Sequence, residues 1–179
     1  ANPAFPPDKL DWLNGVYLRE MPAVKLALKL RAPIERAGWT ASDSLLLQIA
    51  PLVQPRIKTL NDVVEMAGFF FRQPFQPAPP EAFAVKGQTP EQVRNLLNES
   101  HAAPSGVTEC AHGPLEEAMR ALAERQDMKP KDVFGPLRAA ITGQAVSTPL
   151  FESMAIIGRE TCLQRIAAAA ARLAGTPAS

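Results

Sequence analysis

A chain of 179 residues has room for one domain or two small ones, and an apolar fraction of 46% can supply a packed core. A formal net charge of +1 excludes a generally basic nucleic-acid binder but leaves room for a local basic face. No run approaches the ~18 apolar residues of a membrane span. The opening ANPAFPPDK lacks the charged and apolar regions of a secretion signal and looks like a cut made in a longer chain, so a cytoplasmic location is expected.

Residues 1–7 read as a proline-rich lead. Asp8 is placed to cap a helix with Leu10, Leu13, Val16 and Tyr17 on one side. Pro22 stands at the next helix start, ahead of an apolar set at Val24, Leu26, Leu28 and Leu30 that ends at Gly38, with Pro33 expected to kink it. Thr40 or Ser42 begins a third helix, buried through Leu45, Leu46, Ile49, Leu52 and Val53. Thr59 is expected to cap a fourth, from Leu60 to about Phe71, with Phe69, Phe70 and Phe71 in the core.

The proline-dense stretch RQPFQPAPPEAFAVKG is too rich in helix breakers for a helix interior and reads as a link. The expected division is a first subdomain over residues 1–76, a link over 77–87 and a second subdomain over 88–179. Thr89-Pro90 opens the next helix as cap and first-turn proline, residues 103–108 read as loop, and Pro114 begins a helix to about Gln126.

The second half is organised around DVFGPLRAAITGQAVSTPLFESMAIIGRETC, Asp132 to Cys162. Val133, Leu137, Ala140 and Ile141 give it an amphipathic helix that breaks at Thr142-Gly143. A turn through Ser147-Thr148-Pro149 leads into an apolar run, Leu150 to Ile157, closed by Gly158 as a left-handed terminal glycine. A last helix starts at Arg159. No strand is secure, so the fold class is all-α, with roughly eight to ten short helices. Arg138 stands one turn before the glycine break, a cation held on a rigid element beside a polar turn. That arrangement suits the binding of something small, planar and polar.

Groups for catalysis are lacking. His101 and His112 are the only histidines, no serine is placed for a triad, and no G-x-x-x-x-G-K-[ST] phosphate loop occurs. Cys110-Ala111-His112 has no second ligand pair, so no metal site is expected, and Cys110 and Cys162 read as reduced thiols. No catalytic residue is assigned.

Three stretches carry a resemblance. GPLRAAITGQAVSTPLFESMAIIGRE is similar to the last segment of bacterial-type glutamyl-tRNA synthetases, DKLDWLNGVYLRE to the stretch that follows their catalytic half, and PRIKTLNDVVEMAGFFF to a segment between the two. The three occur in the family's order and cover most of the chain, which makes them far more specific than any single pattern. The family's His-Ile-Gly-His type signature and its lysine-rich ATP loop are absent from this sequence. The resemblance therefore implies an anticodon-binding helical cage of two small subdomains, non-catalytic by itself, with ATP and Mg confined to a catalytic domain this chain lacks.

The implied partners are a glutamate tRNA, in some relatives a glutamine tRNA as well, and the catalytic half of the same enzyme; a monomer is expected. The positions matching the family's anticodon-facing residues are Arg56, Arg120 and Arg138, with the turn at Ser147, Thr148 and Leu150. Lys58, Lys129 and Lys131 are expected to meet phosphates. Guanidinium planes stack on and hydrogen-bond to unstacked bases, which is what a splayed anticodon presents. In discriminating relatives an arginine matches Arg56, while some that also charge glutamine tRNA carry glutamine there. On spacing alone the same arginines fit a solvated surface, and a helical protein-interaction domain with no RNA role is the alternative.

Overall fold

The structure, a computed structural model, describes residues 7–103 and 112–175. Among them are nine α-helices and no strand. The chain divides into two compact units, Ala1–Arg72 and Gln73–Ser179.

The first unit holds α1 (Pro7–Glu20), α2 (Ala23–Arg36), α3 (Asp43–Val53) and α4 (Asp62–Ala67). Leu26, Leu30 and Ile34 recur every four residues along α2 and are fully buried, facing Leu46, Ile49 and Val53 of α3. Each such side chain stabilises the fold by roughly 1.5–3 kcal/mol. Helix α1 begins at Pro7, so Asp8 lies inside its first turn instead of ahead of it. Helices α2 and α3 run through Pro33 and Pro51. The Ser42 hydroxyl caps α3, accepting from the Leu45 amide at 3.2 Å. The fourth helix is shorter than its pattern suggested. It ends at Ala67 and tightens into a single 3-10 turn, Gly68–Phe70, where a Cβ on Gly68 would stand 2.9 Å from the Trp39 ring. Thr59 is not its cap, because the Thr59 hydroxyl donates to Asp62.

The second unit holds α5 (Pro90–Ala102), α6 (His112–Arg125), α7 (Pro130–Thr142), α8 (Leu150–Ile157) and α9 (Arg159–Ala174). Helix α5 packs along α9, and α7 lies against α5, α6 and α9. Thr89 and Gln92 form a reciprocal capping box ahead of α5. The stretch 77–87 is not a spacer. Ala78 and Phe83 are buried in the second unit's core, and a 3-10 turn at Pro80–Phe83 packs on α7. Its prolines preclude a long helix, yet its apolar side chains still find a core. Most of the loop expected at 103–108, and Cys110 with it, lie outside the described residues, whereas Cys162 is a buried thiol outside any disulfide that donates to the Met154 carbonyl.

Candidate functional site

Helix α7 ends at Gly143, which takes the left-handed conformation (φ 73°, ψ 11°) and donates its amide to the Ala139 carbonyl. Glycine is required twice over, because a Cβ there would also stand 2.3 Å from the Gln76 carbonyl oxygen. The helix's orphan carbonyl at Ile141 accepts from Arg165 Nη1 of α9 at 2.6 Å. Burial draws the Arg165 guanidinium below its ordinary value, and the group stacks 3.9 Å over the Phe75 ring. The end of α7 is thereby fixed from two sides. Gly158, expected in the left-handed form, instead has φ 89° and ψ 152°, a positive-φ region open essentially to glycine alone.

On this fixed end stands the turn 143–149. Arg138 donates through Nη1 to the Ser147 hydroxyl at 3.1 Å and to the Thr148 carbonyl at 2.9 Å. The Ser147 hydroxyl donates to the same carbonyl, and the Thr148 and Ser153 hydroxyls share a bond of 2.7 Å. Thr142 closes the inner side, donating to the Arg138 carbonyl at 2.8 Å while accepting from the Gln144 amide.

The side chains of Ser147, Thr148 and Leu150 are consequently buried, at 1%, 0% and 3% exposure. The hydroxyls of Ser147 and Thr148 are engaged within the turn, and Leu150 lies in the second unit's core. What the turn presents outward is Ala145 and Val146, the latter 76% exposed, with Pro149 half-buried.

Arg120, on α6, is exposed. It pairs with Glu116 one turn earlier at 2.5 Å, and its guanidinium lies 5.5 Å over the Phe134 ring. Phe134 meets Phe151 edge-on at 5.0 Å. Phe134 and Arg138 are four residues apart on α7, so they share a face. The structure thus places Arg120, Phe134, Arg138 and the turn in one row, with exposed Lys131 three residues before Phe134. Lys129 and Arg125 are exposed at the α6–α7 junction. Phe134 was not singled out by sequence. Its signal was four-residue spacing to an arginine.

In the first unit Arg56 and Lys58 are exposed, on the stretch between α3 and α4. Two neighbours hold that stretch. Gln54 donates its amide to the carbonyls of Leu18 at 2.8 Å and Met21 at 2.6 Å, capping the end of α1. Asp62 accepts from the amides of Lys58 and Thr59 at 2.8 and 2.9 Å and from the Thr59 hydroxyl at 2.7 Å. Burial pushes the Asp62 carboxyl up, but these three donors and the Lys58 charge outweigh it, leaving it below its ordinary 3.8. Asp62 does not stand out in the sequence, and Gln54 does so only by lying two residues from Arg56. A cavity of about 360 Å³ adjoins, lined in part by Tyr17, Lys29, Arg36 and Lys58.

Among the described residues no His, Cys, Asp or Glu group is placed to hold a metal, and no helix is long and apolar enough to cross a membrane.

Known proteins match this architecture. Glutamate–tRNA ligase of Dehalococcoides mccartyi strain BAV1 is 35% identical over 175 residues, 95% of this chain and 36% of that protein. The glutamate–tRNA ligase of Acidothermus cellulolyticus is 36% identical over 186 residues, 96% of this chain and 35% of its own length. The chain thus spans about a third of the curated relatives it matches. Among solved structures, a glutamate tRNA ligase from Elizabethkingia meningosepticum in complex with its amino acid shares the fold at a TM-score of 0.77 and 23% identity. That match covers 93% of this chain and 32% of the solved one. The family model described as "Anticodon binding domain" matches residues 22–170, from the start of α2 into α9. Because that match runs through both units, this chain belongs to the anticodon-binding domain family.

Proposed function

We propose that this chain recognises the anticodon of a glutamate tRNA as part of a glutamate–tRNA ligase whose ATP and glutamate chemistry resides in the remainder of the enzyme. The observation that carries the reading is the match of the anticodon-binding model over residues 22–170, joined to relatives that are glutamate–tRNA ligases along 95% of the chain.

The geometry supports a division of labour. In the second unit Arg120 and Phe134 offer a cation and a ring for a splayed base, while Arg138 braces the turn whose outer edge is Ala145, Val146 and Pro149. Lys129 and Lys131 stand where phosphates flank that row. In the first unit Arg56 reads a base edge and Lys58 a phosphate. An anticodon loop offers unstacked bases to just such planar and cationic groups. Glutamine tRNA is a second substrate only if the contact at Arg56 tolerates guanine.

A second observation concerns protein partners. Leu10, Leu13 and Tyr17 lie at three- and four-residue spacing on α1 and are 52%, 42% and 57% exposed, with Trp12 beside them and Val24 and Leu28 exposed on α2. Such a concentration of exposed apolar side chains marks a protein contact. The rest of the ligase is the partner that fits.

Titration of the chain with glutamate tRNA over a salt series tests the reading. Binding that weakens steeply with salt supports it, because phosphate contacts release counterions. Absence of saturable binding at low salt overturns it.

A further inference from the structure

Gly135 sits in the middle of α7, exposed, and a Cβ built on it would meet nothing within 4 Å. A glycine in an exposed helix interior destabilises the helix relative to alanine, so an open helical position normally carries a side chain. Three reasons could keep a glycine there: a left-handed backbone, a tight neighbour within the fold, or the proline that follows. Gly135 is not among the positive-φ residues, which excludes the first. The empty space excludes the second.

The third reason has a physical basis, since the ring of Pro136 crowds the preceding residue in a helix. The same chain provides the control. Ala32 precedes Pro33 inside α2 and Ala50 precedes Pro51 inside α3, and both helices run on through the proline. Alanine is accepted before an in-helix proline twice in this protein. Pro136 therefore does not demand the glycine.

Gly135 lies four residues after Lys131 and three before Arg138, so all three share one face of α7 with Phe134 adjacent. Asp132, the acidic neighbour, is in the helix's first turn, where a carboxylate suits the helix dipole. The face is otherwise cationic and carries a bare stretch of helix backbone between two basic side chains.

We propose that Gly135 is a contact residue: one ribose–phosphate unit of the bound RNA strand packs directly on the bare α7 backbone at Gly135, between Lys131 and Arg138. This rests on the reading of the chain as an RNA binder. It adds a close-approach point that neither charge nor hydrogen bonding marks. A methyl group there would displace the strand, whereas in the free protein it would meet only water.

The test separates the two states. Gly135→Ala is compared with the unchanged chain by thermal melting and by binding to an anticodon stem-loop of a glutamate tRNA. The proposal expects a melting temperature raised by about 2–4 °C together with affinity weakened by about tenfold, as for an overpacked contact. Gly135→Leu should weaken binding further without lowering the melting temperature. Unchanged affinity in both variants overturns the close approach while leaving RNA binding intact. A lowered melting temperature in Gly135→Ala assigns the glycine to Pro136 and also overturns it. If the unchanged chain fails to bind the stem-loop, the functional reading falls and this proposal with it.

Discussion

Arg138 reaches across the turn that follows α7 and donates through one nitrogen to both the Ser147 hydroxyl and the Thr148 carbonyl, at 3.1 and 2.9 Å. The arginine expected to face a base is thus part of the scaffold that shapes the turn. Whatever it contributes to RNA, it contributes from a fixed position.

Arg138→Ala should therefore cost stability as well as affinity. Charge-assisted hydrogen bonds at a half-buried site contribute about 1–2 kcal/mol, and their loss frees the turn. Arg138→Lys keeps the charge but has neither the reach nor the planar group of the guanidinium, so it should recover little of either. Denaturant unfolding and stem-loop binding measure the two effects. A variant with full stability and reduced affinity would return Arg138 to a purely RNA-facing role.

Gly143 and Gln76 give the second prediction. A Cβ at Gly143 meets the Gln76 carbonyl oxygen, a backbone atom, at 2.3 Å, and the positive φ there is strained for any residue with a side chain. Gly143→Ala should destabilise the second unit by at least about 2 kcal/mol. Equal unfolding midpoints for the two proteins would contradict the packing described for the end of α7.

Asp62 sets a pH dependence. Its carboxyl is held below 3.8, despite burial, by donors from Thr59 and Lys58. A depressed folded-state value means that its contribution is complete above the unfolded aspartate range, about pH 4, and is lost as pH falls through the lower folded value. Acidification below about pH 4 should thus loosen the stretch carrying Arg56 and Lys58. Asp62→Asn should lower stability at neutral pH and flatten the acid dependence. An identical acid profile in the two proteins would remove Asp62 from that role.

The helices were legible wherever capping and spacing agreed, as at Thr89-Pro90 and along Leu26, Leu30 and Ile34. Three features were not. The fourth helix stops at Ala67, and just beyond its end Gly68 lies against the ring of Trp39, which is distant in sequence. Residues 77–87 looked like a link because proline excludes a long helix, yet Ala78 and Phe83 are core. At the site, local sequence shows which side chains can donate or accept but not to whom. Ser147 and Thr148 are polar turn residues in the sequence and buried internal partners in the fold. Gln54 lies two residues from Arg56, and only the fold shows that its amide is spent on the end of α1. Arg165 gave no local signal, since its acceptor, the Ile141 carbonyl, is 24 residues away.

Anticodon recognition itself is tested most directly at Arg56, which is exposed while Gln54 beside it is committed to α1. The glutamate and glutamine anticodons differ in the third base, cytosine against guanine. An arginine offers donors only, and cytosine presents acceptors at its ring nitrogen and carbonyl, whereas guanine's pairing edge presents two donors and one acceptor. Donor facing donor should cost ~1–3 kcal/mol, or about ten- to a hundredfold in affinity. The decisive measurement is binding of two anticodon stem-loops that differ only in that base, to the unchanged chain and to Arg56→Gln. The expected result is preference for the cytosine-bearing loop, narrowed by the substitution. Equal affinities of the unchanged chain for both loops would contradict it.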